Sequence, residues 1–127
     1  MPSFGSISES NIKGIHPDLE KVLREAIKET PVDFRVIDGL RTLAEQKVLV
    51  AKGASKTLRS RHLSGKAVDV MAIVNGKGRW EIPLYHRIAG HVLDVADKLD
   101  VDLTWGGSWT GFPDFGHFEL NKNKYGY

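Results

Sequence analysis

An aspartate sits in the middle of the apolar run Ala67–Ile73, Ala-Val-Asp-Val-Met-Ala-Ile. A short run rich in β-branched residues predicts a strand. Side chains alternate across a strand, so Asp69 shares a face with Ala67 and Met71 while Val68 and Val70 point the other way. A carboxylate in that setting is buried or half-buried and needs a partner. Whatever the chain folds into must bring one to this strand, and a cation would serve.

The chain has 127 residues, the size of one domain. Hydrophobic residues at 41% and charged residues at 27% exclude a disordered chain. No apolar run approaches the ~20 residues of a membrane span, so stable membrane insertion is not expected. The opening MPSFGSISES has no basic stretch followed by an apolar one, so no secretory signal is expected. The absence of cysteine removes disulfides, thiolate nucleophiles and thiolate metal sites. Any metal must therefore be held by histidine and carboxylate. Lys+Arg 18 against Asp+Glu 16 gives a net charge of +2, which suits an anionic partner. No basic strip with interleaved aromatics points to nucleic acid.

Residues 1–15 read as an irregular lead-in. His16-Pro17-Asp18 opens a helix, with proline suited to the first turn and Asp18 to its positive end. Leu19, Val22, Leu23, Ala26 and Ile27 form its apolar stripe, and Thr30-Pro31 stops it. Asp33–Leu40 reads as a strand. Thr42-Leu43-Ala44-Glu45 is a capping box that starts a helix running to about Lys52 and ending at Gly53. A long polar loop leads into the Ala67–Ile73 strand, and Asn75-Gly76 is a turn. The longest helix runs from Pro83 to Leu99, burying Ile88, Val92, Val95, Ala96 and Leu99. Val101–Trp105 and Phe115–Leu120 read as strands. The order predicts an α+β domain with an antiparallel sheet covered by helices.

Two segments concentrate metal-ligand residue types. In Ser60-Arg61-His62-Leu63-Ser64-Gly65-Lys66-Ala67-Val68-Asp69 a histidine leaves a loop and the aspartate follows in the strand. In Asp114-Phe115-Gly116-His117-Phe118-Glu119 another histidine enters a strand three residues after a carboxylate. His62, Asp69 and His117 would supply three ligands and leave one position open, the catalytic zinc arrangement. Asp114 would serve as proton acceptor and donor. Arg41, at a strand-to-helix junction, could face a developing oxyanion. From spacing alone the alternatives stay open: a solvated loop histidine, an aspartate paired to Lys or Arg, and a strand histidine satisfied by hydrogen bonds.

Ser-x-His-x-x-Gly-x-Ala-x-Asp followed far downstream by an acid-x-x-His resembles the M15 zinc metallopeptidase family. That family includes D-Ala-D-Ala dipeptidases, D,D-carboxypeptidases and phage L-alanyl-D-glutamate endopeptidases. Gly14–Leu19, Asp33-Phe34, Gly39–Thr42, Gln46, Gly53–Thr57 and Trp105-Gly106-Gly107-x-Trp109 also fall where the small phage members have similar residues. The resemblance spans about residues 12–120. It implies a single hedgehog/D,D-peptidase-like domain over 1–127, without a separate wall-binding domain. It also implies one Zn2+ per chain on His62, Asp69 and His117. It makes Asp114 the acid/base and Arg41 the residue that polarises the substrate carbonyl. Ser60 matches a position that contacts substrate in some members. Some phage members carry a longer acidic loop before the last histidine, associated with calcium. Here it is the short Thr110-Gly111-Phe112-Pro113, with Asp114 its only acid, so calcium control is not expected.

The expected function is that of a monomeric phage endolysin cutting the L-Ala–D-Glu bond of peptidoglycan stem peptides. It would be made in the host cytoplasm and reach periplasmic peptidoglycan after holin-type release. The alternatives are a D,D-carboxypeptidase or D-Ala-D-Ala dipeptidase on the same scaffold, and a non-catalytic zinc module binding wall peptide. His86 and His91, about 140° apart around a helix, cannot share an ion. His16 reads as a cap or surface residue. Trp105 is expected in the core and Trp109 on a pocket wall. Lys52, Lys56, Arg59, Arg61 and Lys66 read as a basic loop, either a solvated face or one that attracts anionic cell-wall material. Glu119 could support His117 from behind, but an exposed strand position is the favoured reading.

Overall fold

The computed structural model describes residues 2–55 and 60–126. Five strands, β1 (Asp33–Asp38), β2 (Ala67–Val74), β3 (Lys77–Arg79), β4 (Leu103–Trp105) and β5 (His117–Leu120), make one sheet. Its order is β1-β2-β5-β4, with β3 folded back on β2. Every pairing is antiparallel, as expected. The helices are α1 (Ser6–Ile12), α2 (Pro17–Ala26), α3 (Leu43–Ala51), α4 (Ile82–Lys98) and α5 (Lys122–Tyr125).

Strand alternation sorts the sheet into two chemically different faces. Phe34, Val36, Val68, Val70, Ala72, Phe118 and Leu120 form the apolar face, and all are buried in the main core. Leu19, Val22 and Leu23 of α2 and Ile88, Val92 and Ala96 of α4 complete that core. The opposite face carries Asp69, His117 and Glu119. The α4 stripe Tyr85, Ile88, Ala89, Val92, Val95, Ala96 follows the spacing of a helix with one buried side. The Tyr85 hydroxyl joins core to sheet: it accepts from Ala72 N at 3.0 Å and donates to Arg79 O at 2.7 Å.

Some boundaries differ from the expectation. Residues 6–12, expected to be irregular, form α1, which buries only Ser8 and Ile12. Its polar side chains cover the edge of β1: Val36 N donates to Ser8 Oγ at 3.0 Å, and Asn11 Nδ2 donates to Val36 O at 2.9 Å. An open strand edge is a pairing hazard, and α1 closes this one. The strand expected over Asp33–Leu40 ends at Asp38. β3 and α5 add to the expected elements; Asn75 and Gly76 both take positive φ, making the tight hairpin turn that returns β3 to β2. Strands expected at Val101–Trp105 and Phe115–Leu120 begin two residues later. Among the described residues no helix is long and apolar enough to cross a membrane.

Candidate active site

The polar face of the sheet is assembled by register. β2 and β5 pair with Asp69 directly opposite His117. In β1, Val36 pairs with Val70, but an irregularity then sets Asp38 opposite Asp69. Without it Asp38 would fall on the apolar face; the slip turns it to the same side as Asp69.

His62 comes from a 3-10 turn, Arg61–Ser64, between α3 and β2. Ser60 caps the turn, its hydroxyl accepting from His62 N at 3.2 Å. Gly65 ends it at φ +71°, and a Cβ there would lie 3.0 Å from Gly14 O. The missing side chain lets the turn press against residues 14–16, where His16 N donates to Gly65 O at 2.8 Å. His62 is buried, with Nδ1 2.9 Å from Gly39 O. A carbonyl only accepts, so Nδ1 carries the proton and Nε2 keeps its lone pair. That lone pair points at Asp69 Oδ2, 3.3 Å away. His117 Nδ1 is 2.9 Å from Asp69 Oδ1, and its Nε2 is 2.8 Å from Glu119 Oε1.

One ligand atom from each of His62, Asp69 and His117 lies within 4.8 Å of the others. Two imidazoles and one carboxylate form a donor set suited to a divalent ion such as zinc, with room for a further ligand. The lone pair of His62 aimed at a carboxylate oxygen fits a cation between them. Burial would raise the Asp69 carboxyl, but the imidazoles of His117 and His62 beside it outweigh that and hold the group well below the usual range. Burial would lower His117, but its bonds to Asp69 and Glu119 push it up to about 9. Asp114 is raised above the ordinary carboxylate value by desolvation, and then by the charge of Asp69.

Arg41 is buried beside this group, its Nη2 3.9 Å from Asp69 Oδ2. Asp38 accepts from Nη2, while Nη1 donates to Gln46 Oε1 at 2.7 Å and reaches Ser60 Oγ at 3.4 Å. The capping box at Thr42, present as expected, starts α3 and so places Gln46, the helix's one buried residue. Asp114 lines the same cavity of about 900 Å³, as do Trp109 and Ser60. The Trp109 ring lies 5.2 Å from that of His117 and is exposed at the rim of that cavity. Trp105 packs against the core and donates its indole N–H to Phe115 O.

Two expectations fail. Glu119 is buried, not exposed, because β5 lies between β2 and β4. Arg61 is buried too, in a 2.8 Å ion pair with Glu119, and Lys66 donates to Tyr125 O. The solvent-facing basic loop therefore does not include those two; Lys56 and Arg59 lie outside the described residues. His16 caps α2 by accepting from Asp18 N, as expected. His86 packs on Trp105, and His91 bonds to Ala26 O; neither lines the cavity.

The chain and its fold are similar to those of known proteins. The chain is 29% identical over 126 residues to the L-alanyl-D-glutamate peptidase of Escherichia phage T5, covering 96% of this chain and 91% of that one. It is 33% identical over 126 residues to the L-alanyl-D-glutamate peptidase of Listeria phage A118, covering 97% of this chain and 44% of that one. The crystal structure of Serratia marcescens L-Ala D-Glu endopeptidase ChiX superposes with a TM-score of 0.92 at 43% identity, covering 98% of this chain and 93% of ChiX. The vancomycin-resistance D,D-dipeptidase VanXYg shares the fold, at a TM-score of 0.55 and 20% identity over 84% of this chain and 50% of that one. A family model described as phage L-alanyl-D-glutamate peptidase matches residues 2–125, and the chain belongs to that family.

Proposed function

We propose that the chain hydrolyses the L-Ala–D-Glu bond of peptidoglycan stem peptides as a phage endolysin. The observation that carries this is the convergence of His62, Asp69 and His117 with Arg41 and Asp114 around one cavity, in a chain whose relatives are named for that activity. One zinc ion per chain, on His62 Nε2, Asp69 and His117 Nδ1, would supply Lewis acidity and a more acidic water. Asp114 takes the proton from the attacking water and passes it to the departing D-Glu amine as the C–N bond breaks. Its raised carboxyl suits both halves of that transfer. Arg41 presents positive charge to the carbonyl oxygen, its guanidinium held in place by Asp38 and Gln46. Trp109 and Ser60 border the bound peptide.

The test is mass spectrometry of Gram-negative muropeptides after incubation with zinc-loaded protein. Stem peptides cut after L-Ala are expected. Asp114→Ala should keep its zinc and lose roughly 10²–10⁴-fold in turnover. Free D-Ala among the products would instead assign the D,D-peptidase activity. Zinc-loaded protein that binds wall peptide without cutting it would leave only a binding module.

We also propose that the protein acts as a monomer on periplasmic peptidoglycan after release from the host cytoplasm. Expressed alone it should leave cells intact until the inner membrane is permeabilised. Lysis without permeabilisation would refute that route, and a dimer in light scattering would refute the monomer.

A further inference from the structure

Glu119 and Arg61 take no part in the chemistry above, yet both are buried at its edge. Arg61 Nη1 donates to Glu119 Oε2 at 2.8 Å. The other oxygen of the same carboxylate, Oε1, is 2.8 Å from His117 Nε2. Arg61 immediately precedes His62, and Glu119 lies two residues after His117 on the same face of β5. The ion pair therefore ties the turn bearing one histidine to the strand bearing the other.

A histidine can offer a metal either ring nitrogen, and the choice follows from what its other N–H meets. An ionised carboxylate only accepts, so Glu119 holds a ring proton on Nε2, and Nδ1 is the nitrogen that faces Asp69 and would meet the ion. His62 is set the opposite way, with Nδ1 on Gly39 O and Nε2 towards Asp69. The two rings thus present different nitrogens to one point. Glu119 is itself held, because Arg61 engages its second oxygen. A buried ion pair gives little net stability over an apolar replacement. The orientation it imposes accounts better for its place here.

We propose, resting on the metal centre above, that Glu119 and Arg61 are positioning residues. They set His117 in the tautomer that ligates through Nδ1 and lock the His62 turn to β5 before an ion arrives.

The test is nitrogen–proton correlation NMR of the His117 ring in zinc-loaded protein. Zinc affinity is measured alongside by chelator competition for wild type, Glu119→Ala and Glu119→Gln. The wild-type ring should carry its proton on Nε2. Glu119→Ala should bind zinc about 10–100-fold more weakly. Glu119→Gln, whose amide oxygen still accepts, should keep ligation through Nδ1 and recover most of that loss. A merely structural pair would lower the melting temperature of both variants without moving tautomer or affinity, which overturns the proposal. A wild-type ring protonated on Nδ1 also overturns it, whether or not either variant folds. In that case zinc still binds, so the metal centre stands. A wild-type chain that takes up no zinc removes the metal centre and the positioning role together.

Discussion

Both ring nitrogens of His117 face carboxylates, Asp69 Oδ1 at 2.9 Å and Glu119 Oε1 at 2.8 Å. The imidazole is accordingly held protonated up to a pKa of about 9. A metal at Nδ1 must displace that proton, so ion and proton compete for one site. Below the pKa the competent fraction rises almost tenfold per pH unit. Between pH 7 and pH 8 apparent affinity should rise about ninefold, or ~1.3 kcal/mol, from this residue alone. A histidine at its ordinary value is already mostly neutral at pH 7 and would give about 1.3-fold over the same interval. Zinc titration by chelator competition at pH 7.0, 7.5 and 8.0, at fixed ionic strength, measures the slope directly. Calorimetry in two buffers of different ionisation enthalpy counts the released protons, with about one expected from His117 at pH 7. An affinity that changes less than twofold over the interval would refute the reasoning, since it would mean that the two carboxylates do not hold the proton on the ring.

The same shift sets the stability of the metal-free chain. A histidine raised above its unfolded value stabilises fully below about pH 6.5 and loses that contribution as pH rises through about 9. With chelator present the melting temperature should therefore fall between pH 7 and pH 10, and zinc-saturated protein should not show this component. Tyr85→Phe leaves the buried Ala72 N–H without its acceptor. It should cost about 1–3 kcal/mol in urea unfolding, and a loss below 0.5 kcal/mol would mean that water replaces the hydroxyl. Gly116→Ala puts a Cβ 2.6 Å from Val70 O. It should cost about 1–3 kcal/mol by pushing β5 from β2 and weaken zinc uptake through the displaced His117; wild-type affinity in this variant would count against the register-built site.

Much of the site is legible in the sequence because its signals are local. Alternation in Ala67–Ile73 separates Asp69 from the valines, and the capping box at Thr42 marks the helix that brings Gln46 under Arg41. The proline and acid after His16 mark α2 in the same way. What escapes a local reading is settled by distant partners. The residues of α1 are too polar for an apolar stripe, and its place comes from Ser8 and Asn11 bonding to Val36 more than twenty residues away. The burial of Glu119 depends on β5 having a strand on either side. Its shared face with His117 follows from alternation, but only the strand order separates a buried carboxylate from an exposed one. Arg61 looks like one more cation in a basic loop until Glu119, 58 residues on, is placed beside it.

The pairing of Asp69 with His117 joins residues 48 positions apart, so the chain must close a long loop to make it. A slip of one residue in that pairing would turn His117 to the apolar face and bring Phe118 to the polar one. An ion that needs both side chains at once therefore binds only the correctly aligned sheet and draws the folding equilibrium towards it. An ion held there would thus act as a checkpoint on chain assembly. A newly made molecule that captured such an ion would, by that event, already have passed inspection of its strand alignment.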